Sequence, residues 1–316
     1  MGTRRAARSS TLELREHLAA FLDDVAYRSN TSAGERHYRG QLAPLYLHLE
    51  AKGVRRLEDV TPDELRAYMR SQREATYTRK GQPNTVHRLS AASVRHRYNA
   101  ARTFFTWCVD DGRIKLSTMS ALKPPKGENR VREGFTREDQ RALVETTGTA
   151  KGMLRYRDRA IVLMGIDVGA RAGEICSLQI SDIDWNKHLV VLHGKNSEDR
   201  RLRMGRALEK ALRDWLAVRP SVPFQEVFVT QRMTRMSGKT LWAMMRNLGI
   251  HAQVDNAHPH RLRHTFAAEF TAANRDVYAT KARLGHKKLA TTEKYLHSLG
   301  CDYGLDQAYR TPGDGL

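Results

Sequence analysis

The sequence predicts a mainly α-helical protein of two domains, with a small antiparallel β-sheet in the second. Three observations carry that expectation. Apolar residues recur at three and four residues from Thr11 to Asp111, the period of amphipathic helices. Pro124 and Pro125 then break the helical pattern inside a charged stretch. Three short β-like runs separated by polar turns follow between Ile180 and Met204. The 316 residues suffice for two domains, each with its own core. The expected division is a helical N-terminal domain over 1–122, a linker over 123–134, a second domain over 135–300 and a tail over 301–316.

In the first domain Leu14, Leu18, Phe21, Leu22 and Val25 mark one helix face. Thr61-Pro62-Asp63-Glu64 places an N-cap hydroxyl, a proline at the first helical position and a glutamate at the third, a strong helix start. Farther on, Val94, Tyr98, Ala101, Phe105 and Cys108 share an apolar face, while Arg95, Asn99, Arg102 and Thr106 share a polar one. That polar face suits the phosphates of a nucleic acid; an ordinary solvated helix face is the alternative. The linker is basic as well as proline-rich, which suits either a strap across a polyanion or plain solubility.

Thr136 opens the second domain as an N-cap, and Arg157 to Val168, apolar nearly all round at Ala160-Ile161-Val162-Leu163-Met164, reads as its buried central helix. Gly169 closes that helix, so Arg171 and Glu174 stand three apart at the start of the next. An arginine there faces the positive end of the helix dipole, unfavourable unless an anion binds, the alternative being an ion pair with Glu174. The strand-like runs are Ile180 to Asp184, Leu189 to His193 and Arg201 to Met204. Lys195 lies in the turn between the second and third, where it could equally be a solubilising charge. From Val227 to Val254 no Asp or Glu occurs, yet Arg232, Arg235, Lys239 and Arg246 do, marking a candidate DNA-facing helix and turn. Pro259 starts a helix with Leu262, Phe266 and Phe270 on its core face and His260, Arg263 and His264 on another. A last short helix is expected from Asp276 to Leu284, capped by Gly285, with His286 just beyond; Thr291 or Thr292 then caps a helix bearing Tyr295.

Lys and Arg number 54 against 35 Asp and Glu, a formal net charge of +19. Such an excess indicates a polyanionic partner, and without a basic amphipathic helix of large apolar face, nucleic acid is favoured over a membrane surface. Cys108, Cys176 and Cys301 form neither a disulfide framework nor a zinc motif, which fits a reducing cytoplasm. Neither a signal peptide nor a membrane span is legible.

The candidate groups are two Arg, two His, one Lys and one Tyr with a single supporting Glu. No carboxylate cluster accompanies them, which disfavours a two-metal nuclease or transposase. Guanidinium groups suit the non-bridging oxygens of a phosphodiester, and Arg171 and Arg263 fit that clamp. A tyrosine phenol can attack phosphorus and conserve the bond energy as a phosphotyrosine. The departing alkoxide then needs a proton from a positioned Lys or His.

These residues strongly resemble the tyrosine recombinase, or phage integrase, family. Leu284-Gly285-His286, Thr291-Thr292 and Tyr295 look like its signature; His260-Arg261-Leu262-Arg263 resembles its His-x-x-Arg box; and Gly169-Ala170-Arg171-Ala172-Gly173-Glu174 resembles its first Arg box. Gly194-Lys195 matches its hairpin lysine, and all occur in the family's order between about Thr11 and His297. The resemblance implies a helical core-binding (SAM-like) domain followed by an α+β catalytic domain, together clamping double-stranded DNA. It implies Tyr295 as nucleophile, forming a 3'-phosphotyrosyl bond and a free 5'-hydroxyl. Arg171 and Arg263 would hold the phosphate, with Lys195 as general acid, His260 assisting proton transfer, His286 on the phosphate and Glu174 supporting. It further implies a homo-tetramer on two synapsed duplexes, no cofactor, and accessory proteins in some systems. Val168, Ala170, Asn274, Ser117 to Met119 and Arg203-Met204 depart from the usual pattern without removing a catalytic group. No arm-binding domain is expected before Thr11, which favours a simple Xer-like or mobile-element recombinase acting on the nucleoid. Type IB topoisomerase chemistry and a non-catalytic DNA-binding protein on the same fold are the alternatives. The tail, with Leu305 and Tyr309 four apart, is either a contact between protomers or a frayed end.

Overall fold

A computed structural model of the chain describes residues 13–29, 32–79, 82–126, 134–194 and 199–285. Lys195, His286, Tyr295, most of the linker and the tail lie outside the described residues. The chain divides into two compact units, Met1–Arg130 and Val131–Leu316.

The first unit packs α1 (Leu14–Ser29), α2 (Ser32–Ala51), α3 (Pro62–Glu74) and α4 (Ala91–Asp110) around one core. Thr61 caps α3, accepting the Glu64 N–H. On α4 the expected apolar face is buried, from Val94 and Tyr98 through Ala101 to Phe105 and Cys108, while Arg95, Asn99, Arg102 and Thr106 are exposed. Phe21 of α1 anchors the core, meeting Tyr38, Phe104 and Trp107 edge-on at 5.2, 5.5 and 5.5 Å.

The helical first domain carries one further element, which the sequence pattern did not indicate. A hairpin of β1 (Thr76–Arg79) and β2 (Gln82–Arg88) interrupts it, pairing Thr76 with Arg88 and Thr78 with Val86. The segment is rich in β-favouring residues (Thr76, Tyr77, Thr78, Thr85, Val86) and offers no apolar stripe at helical spacing.

In the second unit α5 (Arg137–Thr146) starts with a capping box between Thr136 and Asp139. The central α6 (Leu154–Val168) is buried at Ala160, Ile161, Val162 and Met164, as its composition predicts. Gly165 brings α6 close to α10 (Pro259–Asn274), because a Cβ there would stand 2.7 Å from Leu262. Next come the short α7 (Ala172–Ser177) and a three-stranded antiparallel sheet of β3 (Ile183–Asp184), β4 (Leu189–Leu192) and β5 (Arg200–Arg203) in that order. The sheet is the expected one, except that Ile180 to Asp182 form a 3-10 turn and β5 begins at Arg200 rather than Arg201. Then follow α8 (Arg206–Val218), α9 (Gly238–His251) and α11 (Val277–Leu284). Trp215 of α8 is fully buried and donates its indole N–H to the Val227 carbonyl at 2.9 Å. Among the described residues, no helix is long and apolar enough to cross a membrane.

Candidate active site

The site begins where α6 stops. Gly169 adopts φ +62°, and the ring of Phe266 occupies the space a Cβ would need, so both conformation and room require glycine. The turn aims the Gly169 carbonyl at Arg263, whose Nη1 donates to it at 2.7 Å.

Arg171 is the N-cap of α7, with extended backbone at φ −73° and ψ 153°. A guanidinium cannot accept a hydrogen bond, so Glu174 at the third helical position supplies the acceptors. Its Oε2 takes the Arg171 main-chain N–H at 2.8 Å and its Oε1 takes Arg171 Nη1 at 2.7 Å. The ion pair that the sequence left as an alternative to an anion site is therefore present. Burial pushes the Glu174 carboxyl up, but hydrogen bonds from Arg200 and from the Arg171 main chain outweigh it and hold the group below the ordinary glutamate value.

Arg263 sits one turn into α10, whose start is fixed by Pro259 and by the His258 side chain, which accepts the Arg261 N–H at 3.1 Å. Only 1% of Arg263 is exposed. Its Nη2 donates to the Leu284 carbonyl, while Arg171 Nη2 donates to the neighbouring Gly285 carbonyl at 2.7 Å. Two guanidinium groups from different helices thus grip consecutive carbonyls at the end of α11, groups that the helix itself leaves unpaired. Gly285 closes α11 in the left-handed region at φ +59°, and His286 follows it directly in sequence.

His260 is exposed in the first turn of α10, and its ring meets that of His264 edge-on at 4.6 Å. At the base of the Lys195 turn, His193 bonds Asp182 through Nε2 at 3.0 Å and Asp199 through Nδ1 at 2.9 Å. These two hydrogen bonds raise its pKa above the ordinary histidine value. The structure therefore brings Arg171, Glu174 and Arg263 together beside the position from which His286 departs. Lys195, His286 and Tyr295 lie outside the described residues.

The candidate DNA contacts are dispersed. Arg95 and Arg102 lie on the exposed face of α4, and Arg232 and Lys239 are exposed before and at the start of α9. Arg235 pairs with Glu226 at 2.6 Å, just outside the acid-free stretch, and covers the Phe224 ring at 4.9 Å. Arg232 also lines an open cleft of about 780 Å³ together with Lys151, Asn247 and His251.

One buried cation escaped the sequence reading. Arg200, 7% exposed, donates through Nη2 to Glu174 Oε2 at 2.8 Å. Its signal is the two-residue period of β5, which puts Arg200 on the same inward face as Leu202 and leaves Arg201 and Arg203 outside.

The phage integrase family pattern matches residues 134–300. Tyrosine recombinase XerC of Xanthomonas axonopodis pv. citri (strain 306) is 30% identical over 210 residues, covering 66% of this chain and 68% of that protein. XerC of Azotobacter vinelandii (strain DJ / ATCC BAA-1303) is 27% identical over 283 residues, covering 89% and 90%. The fold matches a lambda integrase tetramer bound to a Holliday junction with a TM-score of 0.69 at 17% identity, covering 92% of this chain and 79% of that one. The chain belongs to the phage integrase family, as a tyrosine recombinase. Its activity is site-specific DNA recombination.

Proposed function

We propose that the chain cleaves and rejoins double-stranded DNA through a 3'-phosphotyrosyl intermediate on Tyr295. The observation that carries this reading is the convergence of Arg171 and Arg263 on the Leu284 and Gly285 carbonyls, immediately before His286. The scissile phosphate binds between the two guanidinium groups, which stabilise the charge that grows on its oxygens at the transition state. The phenol oxygen of Tyr295 attacks phosphorus and the 5'-oxygen leaves, taking a proton from Lys195 while His260 assists proton transfer and His286 donates to the phosphate. Rejoining is the reverse step with a 5'-hydroxyl as nucleophile, so no external energy source or metal is required. Arg95, Arg102, Arg232, Arg235 and Lys239 contribute sequence-independent phosphate contacts.

The net charge of +19 supports DNA as the partner, acted on at the nucleoid in the cytoplasm. The likeness to a lambda integrase tetramer on a Holliday junction supports assembly as a homo-tetramer across two duplexes. Integration, excision and resolution are all outcomes open to a simple recombinase of chromosomal or mobile-element type, with or without accessory proteins.

Covalent trapping tests the reading. Wild type and Tyr295→Phe are incubated with fragmented DNA of the source organism, denatured in SDS, and the attached DNA is sequenced. Adducts from the wild type alone, at a recurring site, are expected. Adducts scattered over all sequences would indicate topoisomerase chemistry. No adduct from the wild type, even on nicked DNA, would leave a non-catalytic DNA-binding protein.

A further inference from the structure

Arg200 is a third guanidinium at the site, and its environment differs from that of the other two. Its side chain and that of Glu174 are 6% and 5% exposed, so both charges are removed from water and depend on each other. Arg200 Nη2 meets Glu174 Oε2 at 2.8 Å, the same oxygen that accepts the Arg171 main-chain N–H. Arg200 Nε and Nη1 have no hydrogen-bond partner among the described residues. Nη1 lies under the turn that ends α11, where a Cβ on Gly285 would stand 2.5 Å from it. A buried cation with two open donors is costly to keep, and such groups persist where they set the geometry of a site.

We propose that Arg200 is a positioning residue for recombination: it fixes the Glu174 carboxylate so that Glu174 turns the Arg171 guanidinium towards the scissile phosphate. The inference rests on the reading of Arg171 as a phosphate ligand. Glu174 carries one negative charge shared by two guanidinium groups, so Arg171 keeps much of its field for the DNA. Removing Arg200 leaves Oε2 with only the Arg171 main-chain N–H as donor. The carboxylate can then engage Arg171 with both oxygens, neutralising it and drawing it back from the phosphate. Arg200 is buried, so it acts on the rate of cleavage and not on DNA affinity.

The pH dependence follows with a definite sign. Among the described residues, Arg200 and Arg171 are the charged groups that bear on Glu174, and burial opposes them. Without Arg200 the buried carboxyl takes up a proton at higher pH, and the acid limb of the cleavage profile moves upward. Loss of packing alone would not move that limb.

The experiment measures single-turnover adduct formation on a DNA captured by the wild type, together with DNA binding, thermal melting and the pH profile. The variants are Arg200→Met, Arg200→Lys, Glu174→Gln, the double variant Arg200→Met with Glu174→Gln, and Arg171→Ala. Arg200→Met is expected to slow adduct formation about tenfold to a hundredfold, as misplacement of a catalytic group does. Its DNA binding should be little changed and its acid limb raised, Arg200→Lys should recover part of the rate, and the Arg200→Met effect should largely vanish in the Glu174→Gln background. If Arg200→Met does not fold, Arg200→Lys carries the test, with a smaller loss and a smaller upward shift of the limb. A wild-type rate and pH profile in the folded Arg200 variant, with Arg171→Ala slowed, would overturn the proposal. Losses that multiply in the double variant would overturn it too, since Arg200 would then act without Glu174. A wild-type rate in Arg171→Ala would instead remove the phosphate-holding role of Arg171.

Discussion

The polar face of α4 and the arginine cluster around Glu174 both consist of basic side chains, yet they use charge in opposite ways. Arg95 and Arg102 stand exposed on one helix. Arg171, Arg200 and Arg263 are held by Glu174 and by the carbonyls of Gly169, Leu284 and Gly285, drawn from residues far apart in sequence. In the proposed reading the exposed set supplies attraction to DNA, which salt screens and which falls by increments when one member is lost. In the same reading the held set, of which Arg200 and Arg263 are buried and Arg171 half-buried, supplies direction, and one substitution there disturbs several partners at once. A basic sequence thus contains two kinds of arginine, and only their surroundings tell them apart.

The largest effect separating the two sets is expected at Arg263. Arg263→Ala removes the proposed phosphate ligand and leaves the Gly169 and Leu284 carbonyls without that donor, so adduct formation should fall by about 10²–10³-fold or more, measured in single turnover. Next comes Gly169→Ala, which forces a side chain into left-handed backbone against the Phe266 ring. It should destabilise the protein by about 1–3 kcal/mol in a denaturant titration.

A smaller effect tests the charge of Glu174. Its carboxyl is held below the ordinary value, so its contribution to stability is present above the pKa of the unfolded chain and is lost as pH falls through the lower folded value. Glu174→Gln should therefore be less stable than wild type at neutral pH and converge with it under acid conditions, which melting curves across pH would show. The smallest effect belongs to α4. Arg95→Ala and Arg102→Ala should each weaken binding on all DNA sequences alike and lower the slope of log affinity against log salt by about 1.

Much of the scaffold was legible because it follows local rules. The Thr61 and Thr136 caps, the two faces of α4, the glycine ends at Gly169 and Gly285 and the proline start of α10 each depend on residues within a turn or two. The β1–β2 hairpin was lost inside a reading dominated by helical periodicity on both sides. Arg200 was missed for a different reason. Its partner Glu174 is 26 residues away on another element, and only the alternation of β5 hinted that a charge pointed inward. The bonds of Arg171 to Gly285 and of Arg263 to Gly169, 114 and 94 residues apart, have no local signature. Sequence motifs pointed to Arg171, Glu174 and Arg263, while tertiary contacts decide what each one holds.

The most direct measurement compares the two arginine sets on one DNA. Salt-dependent binding and single-turnover adduct formation would be followed for wild type, Arg263→Lys and the double variant Arg95→Ala with Arg102→Ala, using a site captured by covalent trapping. The account predicts that Arg263→Lys binds DNA with the wild-type salt slope but forms almost no adduct. The double variant should bind more weakly with a shallower slope, yet react at close to the wild-type rate once saturated. An Arg263→Lys protein that forms adduct at the wild-type rate, or an α4 variant that binds normally and fails to react, would contradict it.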